Sequence, residues 1–111
     1  MIQDSDKSIA DARGDQYKIY QRAYEHAVHF HRLHHEKPNL LFSAADVRYF
    51  VPNPPALPGC YSNGFKLIRR ENIYYDFDLS EEECAKKFAA QVMNAAAGCG
   101  AIDVLFDFKY D

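Results

Sequence analysis

Ala101-Ile102-Asp103-Val104-Leu105-Phe106-Asp107-Phe108-Lys109-Tyr110 decides how the rest of the chain is read. Ile102, Val104, Phe106, Phe108 and Tyr110 fall at every second position, with Asp103, Leu105, Asp107 and Lys109 between them. Successive side chains on a strand point to opposite faces, so this spacing predicts a strand with one packed and one largely wet face. A half-apolar strand needs a second layer over its apolar side, and the segments upstream supply helices for it.

Directly before it, Ser80-Glu81-Glu82-Glu83 has the form of a helix-opening box. The Ser80 hydroxyl can accept from the Glu83 amide while the Glu83 carboxylate reaches back. Acids in a first turn also suit the positive end of the helix dipole. Ala85, Phe88, Ala89, Val92 and Ala96 then recur at helical spacing as the predicted buried stripe, and Gly98 and Gly100 stop the helix. Upstream again, Phe65–Arg70 and Ile73–Leu79 read as the two arms of a hairpin. A turn over Arg70 to Asn72 pairs Phe65 with Phe77 and Leu67 with Tyr75, whereas a turn over Glu71-Asn72 sets Leu67 beside Asp76.

The first part of the chain predicts a long helix from Ser8 or Asp15 to Glu36, stopped by Pro38, with residues 1–7 frayed. Tyr20, Ala23, Tyr24, Ala27, Phe30 or His31, and His34 share its predicted inner side, opposite Glu25, His29 and Arg32. Between Leu40 and Val51 two signals compete. Ser43-Ala44-Ala45-Asp46 looks like a helix start, but Val47-Arg48-Tyr49-Phe50-Val51 favours a strand. The prediction is a strand over the second half, with a short helix as the alternative. Pro52 to Gly64, rich in proline and glycine, reads as a loop without regular structure. The expected architecture is one α+β domain over residues 1–111. It is a two-layer α/β sandwich in the order α-β-β-β-α-β, about four strands with both helices packed on one face.

Composition narrows the function classes. A formal net charge of −3 with 26% charged residues gives no electrostatic reason to expect nucleic acid or an anionic membrane as partner. No run of about 18 apolar residues is present, so no membrane span is expected. The polar start Met1-Ile2-Gln3-Asp4-Ser5-Asp6-Lys7 has no hydrophobic signal core. The three cysteines, Cys60, Cys84 and Cys99, are widely spaced and odd in number, which suits a reducing compartment and a cytoplasmic location.

Two constellations carry chemistry. All five histidines, His26, His29, His31, His34 and His35, lie within ten residues of the first helix. His31 and His35, one turn apart, could jointly ligate zinc or nickel, although the third ligand would have to come from elsewhere. His26 and His29 are expected on the other side of the helix. The second constellation is acidic. Asp76 and Asp78 on one expected strand and Asp103 and Asp107 on another fall on the outer face, together with Tyr74, Ile68 and Leu105. If those strands are neighbours, the carboxylates and Tyr74 form a docking surface for a protein with a basic surface. No phosphate-cradling glycine loop, serine elbow, zinc-finger spacing or RNA-binding aromatic motif is visible, and a nucleophilic pair of Cys60 with a first-helix histidine has only the common Gly59-Cys60-Tyr61 context behind it. The sequence therefore predicts a small intracellular protein-binding domain, not an enzyme. It would inhibit or regulate a partner by occlusion, in the manner of an immunity protein or a phage inhibitor. No cofactor is expected in that reading. The alternative is a metal-binding protein or small enzyme using the histidine-rich first helix, with zinc at His31 and His35.

Overall fold

The structure is a computed structural model that describes residues 4–40, 42–53 and 64–110, with backbone alone for 4–15, 42, 109 and 110. Its elements run α1 (Asp4–Glu36), β1 (Phe42–Pro52), β2 (Phe65–Tyr74), α2 (Glu81–Cys99) and β3 (Asp103–Tyr110). The strands form one antiparallel sheet in the order β2-β1-β3. Since both outer strands oppose β1, they run parallel to each other, and α2 carries the chain from one sheet edge to the other. The class is α+β, as expected, with three strands in place of four. No helix among the described residues is long and apolar enough to cross a membrane.

Burial explains the helices. Ile19, Ala23, Ala27 and Phe30 on α1 and Cys84, Ala85, Phe88, Ala89, Val92 and Ala96 on α2 are buried. Ala45, Val47 and Tyr49 of the central strand and Val104 of β3 meet them in one core. Alanine at so many of these positions keeps both helices close to the sheet, because a shorter side chain sets a smaller gap between layers. The predicted stripe of α2 is thus all in place. The Glu83 amide donates to Ser80 Oγ at 3.2 Å, and Gly100 takes the left-handed conformation at φ 74° that ends the helix. Gly98 stays inside α2.

Four expectations are corrected. The hairpin within residues 65–79 does not form. Arg70, Glu71 and Asn72 continue the strand, because Arg48, Val47 and Asp46 of β1 pair with them. Asn72 alone is a turn former in this segment, with no glycine beside it, and pairing along β1 holds all three residues extended. The segment after Tyr74 leaves the sheet, with the Tyr75 amide donating to the Ser43 carbonyl at 2.9 Å as the last rung. Second, the region from Phe42 is strand throughout, so the Ser43–Asp46 helix alternative is not realised; as the middle strand it gains ladder bonds on both sides. Third, α1 begins at Asp4 and passes through Gly14, so residues 4–7, expected to be frayed, are helical. Fourth, β3 joins β1 instead of a hairpin arm. Of the expected 52–64 loop, Pro52 closes β1 and the Asn53 amide donates to the Gly64 carbonyl at 3.3 Å. The remainder, with Cys60, lies outside the described residues.

Candidate functional site

Both helices cover the same side of the sheet, and among the described residues no element covers the other side. Strand register identifies what it displays. Phe50 pairs with Leu67 and Asp103, Arg48 with Arg70 and Leu105, and Asp46 with Asn72 and Asp107. Directly opposed residues share a face, so these side chains and those two positions along from them form one surface. Phe65 is opposite Pro52 and Tyr74 opposite Ala44 on the same surface. Tyr74 is 72% exposed, Phe65 51%, Leu105 50% and Leu67 46%, with Phe50 half-buried between them.

A register shift between Tyr49 and Phe50 makes this possible. Opposite it β2 carries an extra residue, Ile68, and changes phase. Leu67 consequently looks outward, whereas Arg69 looks inward and lies over the Tyr49 ring at 5.9 Å. The Tyr49 hydroxyl donates to Glu71 at 2.5 Å, and burial together with that carboxylate pushes its pKa up.

The middle of the bare face is charged and internally paired. Asp46 accepts from Arg70 Nε at 2.9 Å and from Arg70 Nη2 at 2.6 Å, with Arg48 Nη2 at 3.4 Å. The Arg70 hydrogen bonds, aided by Arg48, hold the Asp46 carboxyl below its usual range. The face therefore runs from an apolar end at Phe50, Phe65, Leu67 and Leu105, through balanced charge, to Tyr74.

The structure disperses the acidic constellation. Asp76 and Asp78 lie beyond the end of β2, in the segment 75–80 that leads into α2, and Asp76 is bridged to Lys87 at 3.1 Å. β2 and β3 occupy opposite sheet edges, so these two acids and the pair on β3 are not neighbours. Asp103 is engaged by Arg22 of α1. Asp107 remains on the bare face, across from Asp46 and near Arg70. Tyr74 and Leu105 also stand on that face, as expected. Ile68 sits at the bulge.

The histidines divide into two groups. His31 and His35 are adjacent, with ring centroids 4.5 Å apart, but His31 Nε2 is taken up by the Leu79 carbonyl at 2.8 Å. Among the described residues no three His, Cys, Asp or Glu side chains converge as a metal site. His34 stacks on Phe77 with ring centroids 3.9 Å apart, and burial lowers its pKa. His26, expected on the far side of α1, is turned inward among Phe30, Phe88 and Phe106. Its Nε2 and the Tyr75 hydroxyl are hydrogen-bonded at 2.6 Å. Burial, with a smaller contribution from His29, pushes its pKa down to about 4, so the imidazole is neutral at pH 7. A neutral, partly buried imidazole packed against aromatic rings serves as a hydrogen-bonded polar group at the edge of the core.

Neither the Asp46–Arg70–Arg48 cluster nor the His26–Tyr75 pair was foreseen. Strand pairing brings the first together across 24 positions and helix-to-turn packing brings the second together across 49. Compared with protein-family models, curated proteins and solved structures, the chain finds no match.

Proposed function

We propose that this chain is a protein-binding domain whose uncovered sheet face docks on a partner protein and regulates it by occlusion, as an inhibitor or immunity protein would. The supporting observation is the bare face itself. An antiparallel sheet with one solvated side usually carries polar residues there, yet Phe65, Leu67, Leu105 and Tyr74 are all displayed. Clustered exposed apolar side chains rimmed by polar ones mark interaction surfaces. Asp46, Arg48 and Arg70 hold one another in place in the middle, so little side-chain freedom is lost on docking. Their balance replaces the acidic patch read from the sequence, and selection of a basic partner gives way to apolar fit around a fixed charged centre. A cytoplasmic location belongs to the same proposal, supported by the unpaired thiols of Cys84 and Cys99.

The test is comparative capture from native lysate, followed by mass spectrometry. Wild-type protein is set beside Leu67→Asp with Leu105→Asp. Both positions are exposed, so the double variant should keep its melting temperature while losing the captured protein. A partner retained by the variant at unchanged affinity would move the docking surface elsewhere and refute this assignment.

A further inference from the structure

Among the described residues the edge of β3 is covered at one position, Val104, and the edge of β2 at none. On β3, Arg22 Nη2 donates to the Val104 carbonyl at 2.7 Å, and the Val104 amide donates to Asp103 at 2.9 Å, so both outward backbone groups at that position are occupied. On β2, the phase of the ladder follows from two rungs, Tyr75 N to Ser43 O and Asn53 N to Gly64 O. Hydrogen-bonded and non-hydrogen-bonded pairs alternate along an antiparallel ladder. Tyr74, Asn72 and Arg70 therefore turn both their amide and their carbonyl away from β1, and so do Leu67 and Phe65 beyond the bulge. None of these groups has a hydrogen-bond partner among the described residues. An open groove of about 1000 Å³ runs alongside, lined by Arg69, Glu71 and Asn72 of β2 and by Lys87, Gln91 and Asn94 of α2. A strand of ten residues with a vacant edge and space beside it is a template for another strand.

We infer that the vacant edge is filled by β2 of a second copy of this chain, antiparallel about a two-fold axis at Asn72, giving a continuous six-stranded sheet. Self-pairing of β2 has one register that fills the edge without opposing like charges, and charge selects it. With the axis at Asn72, an uncharged amide meets its own copy, Arg70 lies beside the partner's Tyr74, and Glu71 lies beside the partner's Ile73. Arg70, Asn72 and Tyr74 then exchange both backbone hydrogen bonds with the partner strand. The Tyr74 ring, 72% exposed, gains a guanidinium to cover it. Shifting the axis to Glu71 or Arg70 sets identical charges directly against each other, which destabilises a sheet. An axis at Ile73 leaves only Asn72 and Tyr74 in the ladder, since the chain leaves β2 after Tyr74.

Sedimentation velocity across a concentration series, from low micromolar to submillimolar, tests the assignment on the full chain. The expected species is a dimer of the 12.8 kDa chain. Hydrogen exchange should show the amides of Arg70, Asn72 and Tyr74 protected in step with dimer population. Asn72→Lys places like charges across the axis and should weaken the dimer about tenfold or more, with an unchanged fold by circular dichroism. Asn72→Pro removes an amide that points away from β1, so it should break the dimer while sparing the β1–β2 ladder. A chain that stays monomeric throughout overturns the proposal and leaves the edge to a strand from a different protein. A dimer indifferent to both Asn72 variants, with those amides unprotected, also overturns it and places self-association on the bare face or on α1.

Discussion

Acid should destabilise this protein over the window in which most small domains are most stable, and His26 is the reason. Its pKa is about 4 in the folded chain against 6.5 for the free side chain. Between those two values the unfolded chain binds a proton that the folded chain refuses, so stability rises with pH there. The contribution is complete above the unfolded value of 6.5 and is lost progressively as pH falls towards 4. At 1.36 kcal/mol per unit, the difference amounts to about 3 kcal/mol, a large share of a domain's net stability. Asp46 has the opposite chemistry but the same sign: its lowered pKa means its contribution is lost only below its ordinary value of 3.8, outside the His26 window. His34, also lowered, adds in the same direction as His26. Urea unfolding at several pH values between about 7 and about 4.5 measures the slope directly. The control is His26→Phe combined with Tyr75→Phe, which removes both hydrogen-bonding partners and leaves an aromatic pair of similar shape. That variant should lose most of the slope while remaining folded. A wild-type slope that survives in the double variant, or an imidazole resonance of His26 titrating near 6.5 in the folded protein, would refute the reasoning.

Two further outcomes follow from the packing. Phe88→Ala empties a fully enclosed position between α2, His26 and Tyr75, and should cost about 3–5 kcal/mol by denaturant unfolding. A cost below about 1 kcal/mol would mean the aromatic layer collapses without penalty. Arg22→Ala uncovers the Val104 carbonyl at the β3 edge and should cost only about 1 kcal/mol, since the bridge to Asp103 is partly exposed. Its larger effect should be faster concentration-dependent aggregation by light scattering, because a strand edge loses its cover.

The parts of this fold that could be read in advance are those governed by neighbours in sequence. The alternation of β3 follows from bonded geometry, and burial follows it in the middle, where Val104 is buried and Leu105 exposed; Ile102 and Phe108, expected on the packed face, are exposed at 37% and 39%. The start and stop of α2 rest on groups within one turn of each other, Ser80 with Glu83 and Gly100 with Ala96. The first helix was read correctly as a helix but with its inner stripe displaced. The stripe is centred on Ile19, Ala23, Ala27 and Phe30, with Tyr20 and Tyr24 on its flank. At about 100° per residue His26 sits only about 60° from Ala23, close enough for an imidazole to turn inward.

The candidate site was legible only in pieces. Tyr74, Leu105 and Asp107 do share the bare face, and Asp103 is in register with it but paired to Arg22, while Asp76 and Asp78 lie beyond the end of β2, Asp76 bridged to Lys87. Arg70-Glu71-Asn72 looks like a turn when read locally. It becomes strand because Asp46, Val47 and Arg48 lie opposite, and Asp46 binds Arg70. Nothing near residue 70 announces a partner at residue 46.

What the chain dictates by itself is therefore its local order: one strand ending, two amphipathic helices, the caps of the second, and the need to cover an apolar face. Those outcomes depend on torsions and contacts within a few residues, where few conformations compete. Tertiary structure alone decided that Phe42–Pro52 lies in the middle of the sheet, that the bulge near Ile68 turns Leu67 outward, and that β2 has no second strand partner among the described residues. Each of these is a choice among strand pairings between segments distant in sequence, and such pairings become distinguishable only when the whole core is packed and its ladder hydrogen bonds are counted together.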